Sequence, residues 1–381
     1  MNELKMGQVT DALGQLVASV VPGARLLRVL PLRPDEGFDA GAEDATAKAI
    51  GYGVPLRLVV GLADGSRKEL CLHTAQPDEF GHDRRADRAA NMLLSFDTFG
   101  RIPRHVRALD VGAVSTNVLN KGGLISLRES GEFYLVTEFV EGHVYAEDLR
   151  RIASTGVLLD RDIARAASLA RLLVEIHSAR VEGPALYRRA VRDLVGHGEG
   201  IFGLVDGFPD DVPMAPPSRL FALEDLCLSF RHRLRASTAR LTRTHGDFHP
   251  FNILFDDKRP EELRNEPIVL DTSRGSVGDP ADDVTCLALN YVFFALEAKG
   301  TWQTAFSTLW RTFFETYFQL RPDNELFSVA PPFLAWRALV MANPRWYPSV
   351  HATTRDSLLG FVERTLSSAR FDPTDVEGLF L

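Results

Sequence analysis

The segment that most constrains this chain runs from Thr244 to Asp271. It reads Thr244-His245-Gly246-Asp247-Phe248-His249-Pro250-Phe251-Asn252, followed by the apolar run Ile253-Leu254-Phe255. A polar stretch, Asp256 to Pro267, separates this from a second apolar run, Ile268-Val269-Leu270, which ends at Asp271. Short apolar runs bounded by polar, turn-forming sequence predict strands, and two such strands in succession predict an antiparallel hairpin. In a hairpin the start of the first strand lies beside the end of the second. Asn252 and Asp271 are therefore expected at the same end, with Asp247 a few residues upstream of Asn252.

An amide and a carboxylate are oxygen donors of the kind a magnesium ion takes when phosphates and water complete its shell. A further carboxylate, Asp247, suits the orientation of an attacking hydroxyl and acceptance of its proton. Phosphoryl transfer asks a protein mainly for positioning and charge neutralisation, and these three residues offer both. The nearby His245 and His249 leave a magnesium-dependent hydrolase open as an alternative. Metal hydrolases usually take several imidazoles as direct ligands, whereas His249 is followed at once by Pro250.

This segment resembles the catalytic loop of the aminoglycoside phosphotransferase and choline kinase superfamily, which has a protein-kinase-like fold. The family pattern of His-Gly-Asp, a later His and Asn, a strand, and a second strand ending in Asp is present. So is the subsequent Gly278-Asp279-Pro280-Ala281-Asp282-Asp283. The resemblance implies an α+β, two-lobed protein-kinase-like fold, with a small antiparallel-sheet lobe carrying one key helix and a larger, mainly helical lobe. It implies Asp247 as catalytic base, Asn252 and Asp271 as magnesium ligands, and Asp283 as a brace for the catalytic loop. His245 and His249 are read as loop-bracing residues too. The donor would be ATP or GTP and the acceptor a small molecule.

The rest of the chain fits this plan. Leu26 to Leu32, Pro55 to Leu62, Lys68 to His73, Val106 to Val111 and Phe133 to Phe139 read as strands. Ala63-Asp64-Gly65-Ser66 gives a hairpin turn. Residues 1–20 read as an amphipathic helix with Val9, Leu13, Leu16 and Val17 on one face, and Asp83 to Phe96 as another helix. Asp160 to His177 reads as a helix with Asp160 as N-cap and Ile163, Ala167, Ala170, Val174 and His177 on its buried face, His177 as a packed core residue. Gly203 to Ser218 reads as a loop, and most of the chain after Asp283 as helix. These patterns divide the chain into a lobe of residues 1–138, a connector at 139–142 and a lobe of residues 143–381, with Glu138 and Val140 of the connector region placed at the nucleotide.

Composition narrows the partners. The chain has 381 residues, enough for two lobes that each bury a core. Its net charge of −8 argues against a nucleic-acid partner. Met1-Asn2-Glu3-Leu4-Lys5 lacks the apolar core of a signal peptide. The most apolar stretch, Val284 to Leu296, is too short to span a bilayer and reads as a core helix. No membrane partner and a cytoplasmic location are the expectations. Cys71, Cys227 and Cys286 are scattered, so a zinc site or disulfide framework is not expected. The sequence leaves the oligomeric state open.

The small lobe departs from the family. Where kinases carry a phosphate-gripping lysine on the third strand, this chain has Leu70-Cys71-Leu72-His73, and alternation puts Cys71 and His73 on one face. His73 is expected at the lysine position, with Asp87 as its carboxylate partner and Asp83 next in line. Its grip on a nucleotide would weaken as pH rises. Lys68 is expected to face solvent. Gly41, Gly51 and Gly53 lie where a phosphate cover belongs but form no GxGxxG. Trp336, Arg345, Trp346 and Tyr347 are weighed as lining for an acceptor pocket against a core role. The His73 departure also keeps open a nucleotide-binding regulatory protein with little turnover.

Overall fold

The computed structural model describes residues 13–31, 55–77, 82, 85–115, 130–272, 274–368 and 370–380. Residues 1–12, including Val9, lie outside this set, as do Gly41, Gly51, Gly53 and Asp83.

The first part is a five-stranded antiparallel sheet. Its strands are β1 (Arg25–Pro31), β2 (Leu56–Gly61), β3 (Arg67–Thr74), β4 (Ala108–Ser115) and β5 (Ser130–Glu138), in the spatial order β1-β2-β3-β5-β4. The β2–β3 turn forms as expected. Asp64 accepts the Ser66 N–H at 2.9 Å, and Gly65 takes the left-handed φ of 83° that a tight hairpin turn needs.

Alternation along β3 gives the sheet two different faces. Leu58, Val60, Leu70, Leu72 and Val136 pack on one side against residues 13–20, which are helical and contribute Val17. Leu135 turns the other way, toward Phe99 of the helix Arg85–Phe99. Cys71 and His73 share that second side and look into a cleft.

The remainder is mainly helical, so the two-lobed, kinase-like α+β architecture expected from the sequence is the one observed. Its centre is the helix Ala281–Glu297, buried from Asp283 to Ala295, which confirms the core reading of Val284 to Leu296. The helix Asp160–Ser178 is also present, with Ala170 and His177 of the expected face buried and Ala167 and Val174 half-buried. Arg165, Ala166, Leu169, Leu173 and Ile176 are buried, and Ile163 is exposed. Its N-cap is Leu159, not Asp160, and the Asp162 carboxylate accepts the Leu159 N–H at 2.8 Å. The segment read as a loop from Gly203 is broken by structure at both ends: Ile201–Asp206 and Pro217–Leu234 are helices.

Three short strands, His143–Val144, Ile253–Phe255 and Ile268–Val269, form a sheet beside the connector. Gly142 (φ 152°) sits against it, and a side chain there would meet the Phe255 carbonyl at 2.9 Å. The two parts are tied where Val106 N–H donates to Val269 O at 3.1 Å and Val269 N–H to Arg104 O at 3.2 Å. Among the described residues, no helix is long and apolar enough to cross a membrane. All three cysteines are buried free thiols.

Candidate active site

The hairpin sets the geometry. Ile253 pairs with Val269 and Leu254 with Ile268, antiparallel. Leu270 N–H then donates to Asn252 O at 2.9 Å, which brings Asn252 and Asp271 to the same end, as the spacing predicts. Asp271 takes a φ of 55°, one of two described non-glycine residues with positive φ. An aspartate tolerates that conformation better than most residues, and it is a conformation that gathers at functional sites.

Asn252 ends a short turn, Pro250–Asn252, capped by His249, whose Nδ1 accepts the Phe251 N–H at 3.1 Å. The Asn252 amide donates to Asp247 Oδ2 at 3.1 Å and to Asp247 O at 3.2 Å. His249 Nε2 lies 3.3 Å from Asp247 Oδ2. Asp247 is thus held by its own loop, with its side chain 15% exposed.

Behind it stands Asp283, fully buried. Its Oδ1 accepts the Gly246 N–H at 2.8 Å, and its Oδ2 accepts the His245 N–H at 2.8 Å and His177 Nε2 at 3.0 Å. Burial opposes ionisation of this carboxyl, but these donors outweigh it and hold it below the ordinary carboxylate range. His245 is buried as well, with Nδ1 accepting the Asp247 N–H at 3.3 Å; burial lowers its pKa. His177 is in the core as expected. It also has a task that the sequence did not reveal, since its other nitrogen is 2.8 Å from the Tyr317 hydroxyl.

Two arginines complete the surroundings and were not singled out from the sequence. Arg274 donates Nε to Gly246 O at 2.8 Å and Nη2 to Asp282 at 2.7 Å, and its guanidinium lies 3.7 Å over the Trp336 ring. Burial pushes the Asp282 carboxyl up to about 7 in spite of Arg274. Arg337 Nη1 reaches Asp247 Oδ1 at 3.5 Å. The available signal was a lone charge in the otherwise apolar run from Pro331 to Ala342. Trp336, Trp346 and Tyr347 are all buried, and the Trp336 indole donates to Glu199 O at 2.7 Å.

A cleft of about 860 Å³ runs from the connector to the hairpin end. Glu138 and Val140 line it from one side, Cys71 and His73 from the sheet, and Asn252 and Asp271 from below. Asp247 stands behind Asn252. The small-lobe expectations need correction. His73 Nε2 meets Thr137 Oγ1 at 3.2 Å; Thr137, not Asp87, is its partner. Burial lowers the His73 pKa to about 4, so the ring is neutral at ordinary pH. Asp87 lies in the first turn of the helix Arg85–Phe99. Lys68 does not simply face solvent: it pairs with the Glu138 carboxylate at 3.0 Å, on the sheet face away from His73. Further along the cleft His82 and Glu199, both buried, are paired at 2.7 Å.

A family model described as the phosphotransferase enzyme family matches residues 84–322, more than half of the chain. No curated protein matches it. Among solved structures it is similar to an aminoglycoside phosphotransferase from Streptomyces rimosus in complex with ADP and streptomycin, at 21% identity and a TM-score of 0.45, over 81% of this chain and 95% of that one. It is also similar to an amicoumacin kinase in complex with AMP-PNP, calcium and its ligand, at 13% identity, a TM-score of 0.48 and full coverage of both chains. A third is an ethanolamine kinase from Plasmodium vivax, at 12% identity and a TM-score of 0.42, over 89% of this chain and 84% of that one.

Proposed function

Because the chain belongs to the phosphotransferase enzyme family, we propose that it transfers the γ-phosphoryl group of magnesium-bound ATP or GTP to a hydroxyl of a small acceptor. One observation carries this reading. Asp247 is hydrogen-bonded by Asn252, and Asn252 shares with Asp271 and the connector a cleft large enough for a nucleotide. In this reading residues 1–138 and 143–381 are the two lobes, residues 139–142 join them, and the nucleotide lies between with its base toward Glu138 and Val140.

The residues present fit a magnesium ion. The Asn252 amide nitrogen is engaged with Asp247, which turns its carbonyl oxygen to the other side. Asp271 is held at the same end by an unusual backbone conformation. Among the described residues no three His, Cys, Asp or Glu side chains gather in metal-holding geometry, so the remaining ligands of an ion here would be phosphate oxygens and water. Bound there, magnesium would neutralise charge on the donor's phosphates. Asp247 orients the acceptor hydroxyl and takes its proton as the acceptor oxygen bonds to the γ-phosphorus. The bond from that phosphorus to the bridging oxygen breaks, and the nucleoside diphosphate leaves. Asp283, through two backbone N–H groups, fixes the loop that aims Asp247.

His73, standing where kinases carry a lysine and engaged with Thr137, favours a second reading, a nucleotide-binding regulator with little turnover. Incubation with ATP or GTP and a panel of sugars, amino-alcohols and hydroxy acids separates the cases. Nucleoside diphosphate formed only with acceptor supports the kinase. Diphosphate formed without acceptor indicates a hydrolase, and nucleotide binding without product indicates the regulator.

A further inference from the structure

The helix Pro331–Ala342 is buried along its whole length and carries one charged residue, Arg337, only 2% exposed. A lone guanidinium in such a helix needs partners, because a buried charged donor without an acceptor is costly. Its contact with Asp247, at 3.5 Å, is at the outer limit of a hydrogen bond and engages one nitrogen. Nε and Nη2 meet no acceptor among the described residues. The Tyr347 hydroxyl, wholly buried, also meets no partner among them. It lies within electrostatic reach of both Arg337 and Asp247.

Arg274 is the more fully engaged of the two arginines, with both Nε and Nη2 donating. Its guanidinium is bound to Gly246 O and Asp282 and stacked on Trp336. Arg337 and Tyr347 thus carry buried polar atoms that meet no partner among the described residues, and Arg337 adjoins the residue that holds the acceptor hydroxyl. Nε and Nη2 form one edge of the guanidinium plane, a planar fork that matches a carboxylate in two parallel hydrogen bonds. A cationic group placed there would be repelled. Asp247, with 15% of its side chain exposed, is the more exposed member of its pair with Arg337.

We propose that the acceptor is a hydroxy acid: its carboxylate is taken by Arg337 with help from Tyr347, and this seats its hydroxyl on Asp247. The inference rests on the phosphotransferase reading above and names the substrate class for it. The transfer itself is unchanged: the hydroxyl proton goes to Asp247, the acceptor oxygen gains the phosphoryl group and the nucleoside diphosphate departs. The carboxylate takes no part beyond binding, so Arg337 is a specificity-determining residue. The other oxyanion able to use the same donors is the phosphoryl group in flight, and the test must tell the two apart.

Matched pairs differing only in a carboxylate or a hydroxymethyl group provide that test: glycerate with glycerol, and gluconate with sorbitol. Nucleoside diphosphate formation is followed with magnesium-ATP and magnesium-GTP, for the wild type and for Arg337→Lys. The wild type should favour the acid of a pair by about tenfold or more in kcat/KM, the value of a charge-assisted hydrogen bond. Arg337→Lys keeps the charge but loses the fork, so it should shrink that preference chiefly through the acceptor KM. Equal or better turnover of the alcohols by the wild type overturns the proposal and leaves phosphotransfer standing, and this arm needs no variant to fold. An Arg337→Lys loss that is equal for acid and alcohol, seen in kcat, assigns Arg337 to the phosphoryl group and also overturns it. Transfer to no acceptor with either donor, including the sugars and amino-alcohols of the wider panel, removes the phosphotransferase reading and this one with it.

Discussion

His177 and Asp283, 106 residues apart in the chain, are hydrogen-bonded at 3.0 Å in a fully buried pair. Through that pair the helix Asp160–Ser178 supports the loop that carries Asp247, since the same carboxylate holds the His245 and Gly246 N–H groups. Asp283→Asn turns an amide N–H₂ toward donors and removes the charge that His177 faces. Breaking a buried pair of this kind typically costs about 3–5 kcal/mol. Urea unfolding should show a loss of that order. His177→Leu, which spares both backbone bonds, should lose less. Wild-type stability in Asp283→Asn would remove its bracing role.

Asp247→Asn should abolish transfer and leave nucleotide binding nearly intact. Asparagine can still accept the Asn252 amide, so the loop keeps its shape, but it cannot take a proton. General-base catalysis contributes roughly a hundred- to ten-thousandfold, and kcat should fall by that much. Equilibrium titration with ATP or GTP checks binding separately. A variant with near wild-type turnover contradicts the assignment of Asp247 as base.

Asn252→Ala and Asp271→Ala should each weaken magnesium-nucleotide binding and turnover together. Excess magnesium should rescue Asn252→Ala more, because the carboxylate ligand remains in that variant. Asn252→Ala also removes a donor from Asp247, so its kcat should stay depressed even at saturating magnesium. The readout is the magnesium concentration at half-maximal rate. An unchanged magnesium dependence in both variants would overturn their role as ligands.

The range of each interaction decides how legible it is in the sequence. The hairpin that brings Asn252 to Asp271 is local: a strand, a loop and a strand in one stretch, with alternation and turn residues to mark them. The faces of β3 are legible for the same reason, and Cys71 and His73 do share the cleft. Partners across the fold are not. Nothing near Arg337 in the sequence says that it meets Asp247, and nothing near His177 points to Asp283. The helix Asp160–Ser178 is legible as a helix but its buried face only in part: Ala170 and His177 are buried as expected, whereas Arg165 is buried through Asp148 and not excluded by its charge. Lys68 reads as solvated for want of its partner Glu138, which arrives from β5.

His73 yields the sharpest revision and a prediction in two parts. Burial holds its pKa near about 4 against an ordinary 6.5, and its ring is already engaged with Thr137. It therefore carries no charge in the free protein over the range, about pH 6 to 8.5, where an unperturbed histidine would titrate. The declining nucleotide affinity expected of a cationic grip should be missing: wild type and His73→Ala should give parallel pH profiles in an ATP titration. A decline in the wild type that His73→Ala abolishes would show that bound nucleotide recharges the ring. The second part concerns stability. Below pH 6.5 the unfolded chain takes up a proton that the fold keeps off His73. The contribution of the half-buried neutral ring is thus complete above about 6.5 and is lost as pH falls toward about 4. His105, held near about 3 chiefly by burial, adds a loss of the same sign. Thermal melts between these limits should fall with acidity more steeply for the wild type than for His73→Leu. Equal slopes would mean that the ring can be protonated where it stands, and that the cationic grip is available after all.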